Sequence, residues 1–335
     1  MISYSISNQT SSKVGKITSV LATMPISEDK KIEMEFISFG AGIRRISYID
    51  EKSNVNKLLT LSYEDVLESC QNPSLAGLTI GPNAGRLEAN KSLTFKDKGH
   101  LLSVNLPANE DNTKQIHGGK HNLSSQNWIF EGVNNLDDNS LSIRFSYSQE
   151  NDLDGWPGNR IYEVKYTISD DGFLMIALNG FSDMDSYINL TNHTYWLRNN
   201  LSLEIFANTY IKNHKDFLPK ELCHLEGANP YTVGDSSILN NAFILSDRDN
   251  VAAKLSYENI PLEIDMTTDA PALVVYTGDY LDNKAKLFNE DVSKPACAIA
   301  LEAQEMYPLT DTTITSVDDN FHRVIKYHFK ALNAV

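Results

Sequence analysis

The chain has 335 residues, of which 41% are hydrophobic and 22% charged, and a formal net charge of −15. Such a composition supplies a large globular core. Its negative sign argues against nucleic acid and anionic membrane as partners and favours a neutral ligand. Cys70, Cys223 and Cys297 are odd in number and far apart, with no C-x-x-C spacing. Neither a disulfide framework nor a thiolate metal site is indicated.

Met1 to Thr10 is polar and lacks the apolar centre of a signal peptide. No apolar run reaches about 18 residues, so no transmembrane helix is predicted and the expected address is the cytoplasm. The stretch to about Asp29 is rich in Ser and Thr and weakly patterned. Ile32 to Ile49 alternates well and predicts two strands around the Gly40-Ala41-Gly42 turn. Ser62 to Cys70 predicts a short helix, with Ser62 as the cap and Asp65 completing a capping-box pattern. From about Ser92 strands dominate: Leu141–Tyr147, Arg160–Ile168, Phe173–Phe181, Leu203–Ile211, Ala242–Leu245, Ala272–Thr277, Ala296–Leu301 and His322–Lys330. Regular strands with few short helices predict one all-β domain over residues 1–335, an antiparallel sandwich or barrel.

Several polar clusters interrupt this pattern. Asn189-Leu-Thr-Asn-His-Thr-Tyr-Trp196 places His193 among short hydroxyl and amide side chains after the strand-like run Phe173 to Phe181. That predicts a strand-end histidine beside a pocket; the other reading is a core histidine satisfied by Thr191 or Asn192. Gly81-Pro82-Asn83-Ala84-Gly85-Arg86 reads as a tight turn, either a plain one or one that presents Arg86 inward. It lacks the Gly-Lys-Ser/Thr of a phosphate loop. His117-Gly-Gly-Lys-His121 has a metal-compatible spacing only if helical, and Gly118-Gly119 makes a helix unfavourable. The glycines instead predict close approach of backbone and imidazole to a ligand. Trp156, in Asp154-Gly-Trp-Pro-Gly158, is expected on an exposed turn, where it can serve as a stacking platform for a sugar. Glu302 follows the apolar run Ala296 to Ala300, in a segment ending at Tyr307-Pro308. A carboxylate at the end of a buried strand is costly unless it is paired or functional.

In this order the clusters resemble the aldose 1-epimerase (galactose mutarotase) family. Asn189–Trp196 is similar to that family's Asn-Leu-Thr-Asn-His-Thr-Tyr-Phe/Trp signature, and Ile116-His117-Gly118-Gly119 with Trp128 to its Leu-His-Gly-Gly…Trp. Asp154–Gly158 resembles its Gly-Tyr-Pro-Gly turn, Tyr276-Thr-Gly-Asp-Tyr280 its Tyr-Thr-Gly-Asn-Phe, and Leu301-Glu-Ala-Gln304 its Leu-Glu-Thr-Gln. Phe39-Gly40-Ala41 fits an early Gly-Ala turn, and the likeness spans roughly residues 30 to 330. The resemblance implies a β-sandwich of the galactose-mutarotase type, a pyranose substrate, and neither cofactor nor metal. It puts the catalytic acid on His193 and the base on Glu302. Sugar contacts fall on Arg86 and His117, with Tyr195 and Asn240 as further substrate-binding positions.

Three departures stand out. The family's Gly-Arg-Tyr-Ala-Asn-Arg is Gly81-Pro-Asn-Ala-Gly-Arg86, its sugar-binding aspartate is Asn240, and a frequent glutamine is Val274. The acid–base pair is kept while contacts to the sugar change. The implied reaction is interconversion of α and β anomers through the open aldehyde. Glu302 removes the anomeric hydroxyl proton and His193, as imidazolium, protonates the ring oxygen. The two are expected to face each other across a pocket at roughly 5–8 Å. The competing readings are epimerisation of a phosphorylated hexose on the same fold, and a sugar-binding or sensor protein without catalysis.

Overall fold

Alternation with a period of two is the rule along most of this chain, and it decides which face of each strand enters the core. In Arg160–Ser169, residues 160, 162, 164, 166 and 168 are buried, while Ile161 and Glu163 face out. The computed structural model describes residues 1–332 apart from 98–99, 138, 228, 246–249, 283–286, 289–293 and 307–313. Tyr307 and Pro308 therefore lie outside the described residues.

Three large antiparallel sheets carry the architecture. The first is a five-stranded meander in chain order: Ser3–Ser11, Gly15–Pro25, Lys30–Ile37, Gly42–Asp50 and Val55–Leu58. The second has nine strands, running from Ile129–Asp137 through Ser140–Gln149, Arg160–Ser169 and Phe173–Ser182. It continues with Phe321–Ala331, Leu262–Thr268, Val251–Tyr257, Leu201–Ile205 and Tyr231–Val233. The third has six, in the order Tyr195–Leu197, Ala298–Gln304, Ala272–Tyr276, Asn240–Leu245, Ala207–Asn213 and Pro219–His224. The first and third sheets join at their edges. Thr60 bridges Trp196, and Leu61 N–H and Leu197 N–H donate to Tyr195 and Leu59 carbonyls, each at 2.9 Å. The main hydrophobic cluster draws Val20 and Met34 from the first sheet, Tyr162 and Ile325 from the second, and Phe243, Leu273 and Leu301 from the third. The result is the expected all-β sandwich, with the joined sheets packed against the nine-stranded one.

Some sequence expectations change. The weakly patterned start forms two strands, because a polar edge strand needs only backbone partners; Ser3–Ser11 is exposed almost throughout. The predicted helix shrinks to Val66–Ser69. Its cap is Asp65, whose carboxylate accepts from Glu68 N–H at 2.8 Å. Ser62 is instead buried, its hydroxyl donating to the Thr60 carbonyl at 3.0 Å. The predicted strand Leu203–Ile211 breaks at Phe206, where the chain leaves the nine-stranded sheet for the six-stranded one. Among the described residues, helix is otherwise confined to 3-10 turns at Leu123–Ser125 and Leu153–Gly155. No helix there is long and apolar enough to cross a membrane.

Candidate active site

Every residue of Ala298–Gln304 is buried, so this strand is covered on both faces. Ile299, Leu301 and Ala303 enter the main core. Period two then sends Ala298, Ala300, Glu302 and Gln304 to the opposite face. Neighbouring strands supply that face with same-side pairs: Val274 and Tyr276, Asn240 and Ala242, Ile211 and Asn213. In the ladder Val274 stands opposite Glu302, and Asn240 opposite Tyr276. These residues floor a cleft of about 840 Å³, a size suited to a small organic ligand.

His193 reaches the same floor by register. Tyr195, Trp196 and Leu197 pair with Ala300, Ile299 and Ala298. Two residues further along in each direction, the same antiparallel register sets His193 opposite Glu302, where side chains of one face are neighbours. His193 Nε2 lies 3.4 Å from Glu302 Oε1. The two groups are thus cross-strand neighbours, closer than the roughly 5–8 Å expected for groups on facing walls. They are 4% and 3% exposed, yet both line the cleft.

The backbone of His193 is clamped. Its N–H donates to Leu78 O and its carbonyl accepts from Gly77 N–H, each at 2.9 Å. The reading of a core histidine satisfied by a neighbour does not hold. Asn192 spends its amide on Gly77 O at 2.9 Å and on Thr194. Neither Thr191 Oγ1 nor His193 Nδ1 has a hydrogen-bond partner among the described residues.

Burial pushes the Glu302 carboxyl above its ordinary range, and the opposing pulls of His193, Arg86 and a Gln304 hydrogen bond offset this only in part. Gln304 Nε2 donates to Glu302 Oε2 at 3.1 Å. The sequence assigned Gln304 no role. Its position two residues beyond Glu302, on one strand face, was the available signal.

His117 forms the adjoining wall, its ring 5.5 Å from that of His193 in an edge-on arrangement. Its backbone sits at φ +54, a left-handed conformation uncommon outside glycine. Two bonds to Gly85 hold it: His117 N–H to Gly85 O at 3.0 Å, and Gly85 N–H to His117 Nδ1 at 3.3 Å. Desolvation, then the charges of His193 and Arg86, drive its pKa well below the usual histidine value. A neutral ring that accepts at Nδ1 carries its proton on Nε2, so it can only donate there. The paired glycines meet the chain itself rather than a ligand. A Cβ on Gly118, at φ +88, would stand 2.4 Å from Pro82 Cδ and 2.5 Å from Gly81 O. His121 turns away to Asp154, with Nδ1 to Oδ1 at 3.2 Å.

Arg86 lines the cleft at the start of the short strand Arg86–Glu88. Its guanidinium is held by Glu110 through Nε–Oε2 at 2.7 Å and Nη2–Oε1 at 2.9 Å. Glu110 was not foreseen, because nothing local in the sequence marks it. Tyr195 is buried beside His193, ring centroids 4.9 Å apart, and burial raises its phenol well above the usual value. The Tyr276 phenol is pushed up to about 12 by the same cause. Both stay protonated donors through the neutral range. Asn240 lines the cleft as expected.

Trp156 is a correction, because it is fully buried. The turn Asp154–Gly158 folds Trp156 inward, where its Nε1–H donates to Gln115 Oε1 at 2.9 Å and Gly118 O at 3.1 Å. An indole whose ring and donor are both satisfied inside offers no stacking face.

An antiparallel sandwich of these large sheets is the galactose-mutarotase type of fold. The solved galactose 1-epimerase of Lactobacillus acidophilus NCFM superposes with a TM-score of 0.83 over 99% of this chain and 100% of its own, at 19% identity, a likeness of fold. The family model for aldose 1-epimerase matches residues 23–310. The chain belongs to the aldose 1-epimerase family, which is a family of isomerases. The aldose 1-epimerase of Escherichia coli K12 is 25% identical over 254 residues, 66% of this chain and 70% of its own. That of Haemophilus influenzae is 26% identical over 316 residues, covering 83% and 85%.

Proposed function

We propose that residues 1–335 act as one unit that interconverts the α and β anomers of a free, neutral aldose such as galactose or glucose. The observation that carries this is the contact of His193 and Glu302, side by side on the cleft floor. The anomeric hydroxyl and the ring oxygen are bonded to one carbon, so adjacent acid and base groups suit them better than distant ones. Glu302 takes the hydroxyl proton as His193, protonated, gives one to the ring oxygen. The C1–O5 bond breaks and an aldehyde forms. C1 turns about the C1–C2 bond, and the ring closes with both protons returned. Each positioned group contributes about 10²- to 10⁴-fold. His117, donating from Nε2, and Arg86 hold hydroxyls and the carbonyl oxygen that develops on opening. Tyr195 and Asn240 complete the sugar contacts, Asn240 with a neutral amide in place of a carboxylate. The expected cytoplasmic address belongs to this proposal.

Charge supports a neutral sugar over a phosphorylated one. Arg86 is engaged by Glu110, and the Lys114 ammonium by Glu110 and Asp111 at 3.7 and 3.2 Å. A phosphate needs cations that are not already committed; of the Arg and Lys side chains lining the cleft only Lys215 has no ion pair among the described residues, and it stands among Glu110, Asp111, Asp216, Glu302 and Glu305. kcat/KM for free glucose should therefore exceed that for glucose 6-phosphate at least tenfold. A preference for the phosphate ester would assign the cleft to hexose phosphates instead.

A further inference from the structure

The join between the five- and six-stranded sheets leaves four edges of the three large sheets open among the described residues. An open edge presents unpaired backbone N–H and C=O groups, and proteins usually guard it with charge, proline, bulges or brevity. Three of the four are guarded in this way. Pro219–His224 opens on Pro219, Lys220 and Glu221. Ile129–Asp137 carries Glu131 and two register shifts, at Phe130/Gly132 and Asn135/Asp137. Tyr231–Val233 is only three residues long. The fourth edge, Ser3–Ser11, has none of these devices. Its nine residues are Ser, Tyr, Ile, Asn, Gln and Thr, and its pairing with Gly15–Pro25 runs unbroken from Ser3 opposite Thr23 to Ser11 opposite Gly15.

This edge is not uniformly polar. Tyr4 stands opposite Ala22 and Ile6 opposite Val20, and directly opposed residues share a face. Ala22 and Val20 belong to the main core, so Tyr4 and Ile6 continue its rim, as Ile2 does. Yet Tyr4 is 44% and Ile6 46% exposed. Charge sets the edge apart as well. Residues 1–27 contain no Asp or Glu, although the chain has 44, and they carry Lys13 and Lys16. Two chains of net charge −15 repel each other. At this hairpin they meet with no carboxylate on either side.

We propose that Ser3–Ser11 pairs antiparallel with the same strand of a second copy, joining two five-stranded sheets edge to edge across a two-fold axis. The segment Ser3-Tyr-Ser-Ile-Ser7 is its own complement in such a ladder. With the axis at Ser5, Tyr4 lies opposite Ile6 of the second copy, and Ser3 opposite Ser7. Hydroxyls then line one side of the seam. Aromatic–aliphatic pairs line the other, core-facing side, where cross-strand contacts of this kind are favourable. The contact closes at two copies, because the far edge of each five-stranded sheet is taken by the six-stranded one. One strand pairing is a small interface, so the dimer is reversible. No residue of 1–27 lines the cleft, so each copy keeps its own His193–Glu302 site.

Sedimentation velocity on the whole chain, over about 1 to 300 µM, tests this. Wild-type protein should pass reversibly from monomer to dimer within that range. Ser5→Lys sets two ammonium groups against each other at the axis and should raise the dimer Kd by at least about tenfold. Ile6→Thr keeps a β-branched side chain but loses apolar contact, and should raise it about threefold. Both positions are exposed on an edge strand, so the fold is retained, which denaturation at the lowest concentration checks. Leu222→Lys, exposed on the guarded edge Pro219–His224, should leave the Kd unchanged. Wild-type protein monomeric throughout, or a dimer held equally by wild type, Ser5→Lys and Ile6→Thr, overturns the proposal.

Discussion

Glu302→Gln and His193→Asn should each lower kcat by about 10²- to 10⁴-fold, with the fold retained. Both replacements are close in size to the residue removed and leave the cleft lined. Glu302→Gln also keeps an oxygen that can accept from Gln304 Nε2. What each removes is a transferable proton or its acceptor. The pH profile carries a second signature. The Glu302 carboxyl is raised by burial, so its proton-accepting form is lost, as pH falls, earlier than for an ordinary glutamate. The acid limb of kcat/KM should therefore lie above about pH 4.3, the usual glutamate value, and should vanish in whatever activity Glu302→Gln retains. His117 is held neutral by burial and adds no limb near neutrality. Wild-type rates from either variant, or a profile flat from pH 4 to 9, would refute the assignment.

Trp156→Ala should cost about 3–5 kcal/mol of folding stability. The indole is fully buried, its ring centre 6.4 Å from that of Phe95 and 6.2 Å from that of Tyr187. Together with Leu93, Val104 and Ile314 these form a satellite core beneath the cleft wall. Truncation also strands the Gln115 side chain and the Gly118 carbonyl that accept from Nε1–H, next to His117. Trp156→Phe should fall between, keeping most of the packing but losing the donor. Chemical denaturation measures both. Unchanged stability with weakened sugar affinity would restore the stacking role that the turn-like sequence predicts.

These two cases show why parts of the site could be read from sequence and others not. His193 and Glu302 stand in dense, unusual surroundings, a hydroxyl- and amide-rich octet and a carboxylate closing an apolar run. Their separation is not legible there, because it depends on one long-range pairing, Tyr195 with Ala300, which no local pattern encodes. The inward direction of Trp156 is hidden for a related reason. A Gly-Trp-Pro-Gly turn specifies backbone shape but not which way the side chain points. Most strands were legible where one face is apolar, whereas Ser3–Ser11 was not, since it buries almost nothing. Glu110 and Lys114 act through contacts between distant loops, and their neighbours in sequence look like ordinary surface.

The most direct test follows the optical rotation of freshly dissolved α-galactose and α-glucose with and without the protein. The account predicts a first-order approach to the unchanged equilibrium rotation, at a rate that rises in proportion to protein concentration for at least one of the two sugars. Relaxation at the spontaneous rate for both, at every protein concentration, would contradict it.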